Sequence, residues 1–187
     1  MKHIIPILLF AAFPFAVFSQ QGPPETEWEK TFGNAEWDEA SGIIALPDGG
    51  FVVAGYTYSE NNKSDVWIIK LDIAGNILWE KTYGGSNTER ATCIVSAPNG
   101  GFVVGGYTNS KGAGNNDAWI LKLDGEGNLE WDRTYGAHKE EQVNDIILTS
   151  DGGYAATGYS HSKRSNGLAW IFKIDKDVAM DWCKTLE

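Results

Sequence analysis

Residues 48–84 read DGGFVVAGYTYSENNKSDVWIIKLDIAGNILWEKTYG, and their pattern decides the fold. The runs at 51–57 and 66–71 are rich in β-branched and aromatic residues. They are apolar at successive positions, so both of their faces need cover. The run at 77–83 alternates instead, with Glu80 and Lys81 bringing back charge, and reads as a strand with one wet face. A further apolar run lies upstream at 40–46. Pro47-Asp48-Gly49-Gly50 and Asp72-Ile73-Ala74-Gly75-Asn76 supply the fixed φ, the Asx acceptor and the glycines of tight turns. The unit is a four-stranded antiparallel meander with sandwiched inner strands and an exposed outer one.

The unit recurs. WEKTFG at Trp28 returns as WEKTYG at Trp79, WDRTYG at Trp131 and WCKTLE at Trp182, with spacings of 51, 52 and 51. In the same register come DGGF at Asp48, NGGF at Asn99 and DGGY at Asp151. GYT at Gly55 and Gly106 becomes GYS at Gly158, and DVWIIKLD at Asp65 becomes DAWILKLD at Asp117 and LAWIFKID at Leu168. A period of this size marks a repeat architecture. The expected fold is all-β and β-propeller-like, with three four-stranded antiparallel blades of about 51 residues. The repeats run 28–78, 79–130 and 131–181, and a fourth begins at Trp182. Trp67, Trp119 and Trp170, like Trp79, Trp131 and Trp182, hold repeat positions and read as structural.

The count does not close a ring, since closed propellers have about four to eight blades. WEKTFG at Trp28 stands as an extra outer strand, yet the last repeat already has its own. Two apolar faces are left over, so the ring is partial or is completed by association of copies. A β-trefoil or β-prism, with three units of four strands, is the alternative.

Composition narrows the function. The chain has 187 residues, a net charge of −10 and no basic cluster, which excludes nucleic acid as an expected partner. Lys2 followed by the apolar stretch 4–18, with small residues at Val17 and Ser19, reads as a signal peptide at 1–19. The stretch falls short of the roughly 20 residues of a membrane span, so none is expected after cleavage, and a linker follows at 20–27. The protein is therefore expected to be secreted or at the cell surface. The only cysteines, Cys93 and Cys183, fall at different repeat positions and are expected as free thiols, Cys93 buried.

No nucleophile elbow, phosphate loop, HExxH or CxxC is present. Asp65, Asp72, Asp117, Asp124 and Asp175 recur with the repeat, which assigns them to turns and strand ends rather than to a single catalytic centre. His138 and His161 do not recur and stand beside no fixed acid or nucleophile. No catalytic residue, metal or cofactor is expected. In a propeller the loops between the second and third strands of each unit and the connections between blades share one end, and here those are the long, variable, polar segments. Function tends to sit on variable loops held by a rigid scaffold. The residues picked for capture of a protein or glycan partner are Trp37, Asp38, Tyr58, Asn61, Asn62, His138, Lys139, His161, Lys163 and Arg164. Trp37 is the leading anchor, its alternative being an indole packed under its own loop. The second functional reading is a lectin-like carbohydrate binder with three equivalent sites.

The motifs GGFVVxGYT, DxWIxKLD and DxxGNxxWxKTYG resemble those of secreted bacterial propeller repeats, often exported by type IX secretion. The resemblance spans Trp28 to Glu187 and implies a propeller fold. DxxGNxxW is also distantly similar to quinoprotein-like repeats, which implies that Trp79, Trp131 and Trp182 dock neighbouring blades. Asp177-Val178-Ala179 departs from the Gly-Asn turn, so an irregular last hairpin is expected.

Overall fold

The computed structural model describes residues 27–34, 36–59, 63–162 and 167–186. The leader and, apart from Glu27, the linker lie outside the described residues. Twelve strands build three sheets, and no helix occurs among the described residues. The first sheet contains β1 (Asp38–Ala45), β2 (Phe51–Tyr58), β3 (Ser64–Leu71) and β4 (Ile77–Tyr83), hydrogen-bonded in that order. The second contains β5 (Glu89–Ser96), β6 (Phe102–Thr108), β7 (Asp117–Leu123) and β8 (Leu129–Tyr135). The third contains β9 (Glu141–Leu148), β10 (Tyr154–Ser160), β11 (Leu168–Ile174) and β12 (Met180–Leu186). Each is an antiparallel meander, as the alternation of runs and tight turns predicts.

The sheets stack face to face in succession, β5 against β1 to β3 and β9 against β5 to β7. One core cluster joins Val52, Ala54, Val66 and Ile68 to Ile94, Phe102, Val104, Trp119 and Leu121. Another joins Cys93, Val103, Ala118 and Ile120 to Ile146, Tyr154, Ala156, Trp170 and Phe172. The middle blade is covered on both sides, so β7 is buried along its whole length. That argues against the trefoil and prism alternatives: ladders between strands stay within each unit, and a prism would leave one face of every sheet wet. The sheets do not close into a ring.

A shared irregularity explains one recurring glycine. In β1, β5 and β9 the register slips, leaving Ser41, Thr92 and Asn144 as bulge residues. The strand then closes on the glycine opposite, and a Cβ at Gly106 would fall 1.9 Å from the Arg90 carbonyl oxygen. Only glycine admits that approach. Thr92 uses its displaced position to donate to the Val143 carbonyl of the next blade at 2.6 Å.

The outer strands carry the docking device. Trp79 packs near Phe102 with ring centroids 6.3 Å apart, and Lys81 donates to the Glu126 carbonyl and Asn128 Oδ1, each at 2.8 Å. Tyr83 donates to the Gly127 carbonyl. At the next junction Tyr135 donates to the Val178 carbonyl at 3.0 Å, and Trp131 packs on the same cluster as Val178. The last hairpin pairs as the other two do, with its irregularity confined to the turn. Asp175 Oδ1 accepts from the Asp177 and Ala179 amides, and Val178 takes the glycine position at φ 70°.

Two further expectations need correction. Residues 28–33 form no ladder, so they are not a paired strand. They still dock like one: Trp28 Nε1 donates to the Ile73 carbonyl at 3.1 Å, and Lys30 Nζ to Asn76 Oδ1 at 2.8 Å. Trp182, implied as a docking residue by the resemblance, is 44% exposed and docks on no other blade among the described residues.

Candidate binding site on the loop face

The connections between blades meet the loops between the second and third strands of the blades at one end of the stack. Asn34 Nδ2 donates to Thr57 Oγ1 at 2.9 Å, the Asn109 amide to the Thr88 carbonyl at 2.9 Å, and the His161 amide to the Glu140 carbonyl at 2.9 Å. Buried carboxylates pin these connections. Glu89 accepts from the Gly85 amide and the Thr108 hydroxyl, both at 2.7 Å. Glu141 accepts from the Ala137 amide and the Ser160 hydroxyl, both at 2.9 Å. Each glutamate is almost fully buried, and the bonds replace the water it has lost. The rim is therefore held by side chains rooted in the blades.

A cavity of about 370 Å³ opens at this end, lined by Glu36, Trp37, Tyr56, Tyr58 and Arg90. The Trp37 indole is 67% exposed, so it does not pack under its own loop. The Arg90 guanidinium lies 4.3 Å from the centre of the Tyr56 ring and 5.5 Å from that of Tyr58. It donates to the Tyr58 hydroxyl, while its Nε is buried with no partner among the described residues. Tyr56 donates to Glu39 Oε2 at 2.5 Å. Burial first, and then that bond to Glu39, raise the Tyr56 phenol, with Arg90 opposing. Burial raises the Tyr107 phenol, with Arg90 opposing.

Trp37 and Tyr58, picked from the sequence, come together here. None of the other candidates among the described residues lines this cavity. Asp38 turns away, accepting from the Asn34 amide at 2.8 Å. It lines a separate cavity of about 680 Å³, together with Thr31, Phe32, Trp67 and Thr82. His161 stacks near Tyr159 at 5.2 Å, with Nδ1 3.3 Å from Glu140 Oε2. Lys139 serves through its carbonyl, which accepts from the Asn115 amide at 3.1 Å. His138 is exposed and lines no wall of the Trp37 cavity. Asn61, Asn62, Lys163 and Arg164 lie outside the described residues. The recurring acids do cap turns: Asp72 Oδ1 accepts from the Ala74 and Asn76 amides, and Asp124 Oδ1 from those of Glu126 and Asn128.

Arg90, Tyr56 and Glu39 were missed. For Glu39 and Arg90 the signal is divergence between repeats, since Glu39, Arg90 and Gln142 occupy one repeat position, as do Tyr58, Asn109 and His161, whereas Tyr56 recurs unchanged as Tyr107 and Tyr159. The chemistry of the pocket thus belongs to the first two blades and is not repeated threefold.

No family model matches the chain, and no curated protein matches it. Among solved structures, the chain is similar to the crystal structure of Sqt1 from Chaetomium thermophilum. The TM-score is 0.43 at 16% identity, over 82% of this chain and 37% of that one. A likeness of that size identifies neither a family nor a function.

Proposed function

We propose that the protein is a non-catalytic binding module, secreted or held at the cell surface, that captures a glycan through the Trp37–Tyr58–Arg90 pocket. The observation that carries this reading is the exposed indole beside a stacked arginine. A sugar ring presents a C–H face and a fringe of hydroxyls. The indole offers a flat apolar surface for the former. Arg90 donates to hydroxyls, while Glu36 accepts from them. The cavity falls within the range of about 300–1,000 Å³ common to small-ligand sites. The leader-like segment at 1–19 and the resemblance to secreted propeller repeats support the location. The same resemblance supports type IX export.

A protein partner is the second reading, favoured by the breadth of the loop face. A lectin-like scaffold with three equal sites is disfavoured by the divergence at positions 58, 109 and 161. The test is a glycan array followed by calorimetry on the best hit. One saccharide per chain, with binding lost in Trp37→Ala and Arg90→Leu and thermal stability kept by Trp37→Ala, is the expected result. Saccharide binding that survives both substitutions would overturn the assignment of the pocket, and a blank array would favour a protein partner.

A further inference from the structure

The two ends of the blade stack are complementary halves of a junction that the chain already forms twice. On the side facing the next blade, Ile44 and Val95 pack into the two core clusters. Their counterpart in the third blade, Ile147, is 56% exposed. On the side facing the preceding blade, Ile94 and Ile146 are 9% and 3% exposed, while their counterpart Ile43 is 62% exposed. The docking side chains repeat the pattern. Trp79 and Lys81 seat on the turn of the next blade, whereas among the described residues Trp182 and Lys184 meet no following blade, and Trp182 is 44% exposed. The turn that would receive them, residues 73–76, is occupied by Trp28 and Lys30 of the same chain.

We propose that blade three of one copy docks head-to-tail on blade one of a second copy, and that residues 28–33 hold that site closed in the free chain. Trp182 and Lys184 of the incoming copy take the places of Trp28 and Lys30, and Ile147 meets Ile43. A head-to-tail contact closes when its rotation does, and two copies of three blades make a ring of normal size. The strap wins in the free chain because it is tethered beside the turn, at an effective concentration in the mM range for short linkers. Its cover is thin. The cavity against Trp67 and a second of about 170 Å³ against Ala40, Val53 and Ile69 lie open beside it. The third junction is weaker than the internal ones. Asp145, Ala155 and Thr157 stand where blade two has Cys93, Val103 and Gly105. Association therefore depends on concentration.

Sedimentation velocity on the purified protein tests this. The expected result is a monomer for the wild type and a doubling of mass for Trp28→Ala/Lys30→Ala. Adding Trp182→Ala should return the double variant to single mass. Lys30→Glu leaves the half-buried Trp28 indole in place and serves if the double variant unfolds; it should also shift the protein towards the dimer. Two results overturn the proposal: strap variants that stay monomeric while keeping the wild-type circular dichroism, or a dimer that Trp182→Ala leaves intact.

Discussion

The Trp79 indole lies so close to Gly127 that a Cβ on that residue would fall 2.8 Å from the ring. Gly127 also has φ 74°. Gly152 has a similar φ of 84° with nothing within 4 Å of an added Cβ. Alanine at Gly152 is expected to cost only the left-handed strain, about 1–2 kcal/mol. Alanine at Gly127 should cost more, because the indole that docks two blades must also move. Urea unfolding of the two variants separates the terms, and equal losses would mean that Trp79 is not seated on the turn.

Alkaline pH should loosen the junctions between blades. Burial, reinforced by the nearby Asp124 carboxylate, pushes the Tyr83 phenol up to about 12. Tyr135 is likewise pushed up to about 12, chiefly by burial. In the unfolded chain both lose their protons near the ordinary value of about 10. Between those values the folded chain holds more protons, so stability is whole below the unfolded pKa and falls as pH rises towards about 12. Tyr83→Phe/Tyr135→Phe should flatten that decline. A pH-stability curve unchanged by the double substitution would contradict the assignment.

The two cysteines should differ sharply in reactivity. Both are unpaired, Cys93 buried and Cys183 exposed on β12. Burial pushes the Cys93 thiol up to about 11, so almost none of it is thiolate at neutral pH. A chromogenic disulfide reagent should titrate one thiol in native protein and both in denaturant. Fast reaction of both in the native state would place Cys93 at the surface.

Truncation of tryptophans should follow position in the stack. Trp119 is 1% exposed and donates to Asp132 Oδ2 at 2.8 Å. Its replacement by alanine should cost about 3–5 kcal/mol, as for other buried aromatics. Trp182→Ala, on the open face, should cost well under half of that. Comparable losses at the two sites would mean that the third blade has an additional cover.

The repeat made most of this fold legible. Runs at 51–57 and 77–83 became β2 and β4 almost unchanged, and the buried character of 66–71 matched β3. Strand starts were missed where the ladder opens with polar residues: β1 begins at Asp38 and β3 at Ser64, both held by contacts from the loop end. Residues 28–33 keep the outer-strand pattern but lack a neighbouring strand, which periodicity cannot reveal. Val178 departs from the Gly-Asn turn, yet the recurring Asp175 still holds that turn by accepting from the Asp177 and Ala179 amides, while Val178 takes φ 70°. Of the site, Trp37 and Tyr58 were visible as loop aromatics. Arg90 was not, because it sits within β5 and gains its meaning from rings on β2, across a blade junction.

Native-state hydrogen exchange tests the stacking of the three blades most directly, because protection follows burial and cooperative packing. Amides of β6 and β7, sandwiched between two other blades, should be the slowest in the molecule, with the outer blades exchanging through smaller openings. Slowest exchange in β2 and β3 or in β10 and β11, with β6 and β7 opening first, would contradict it.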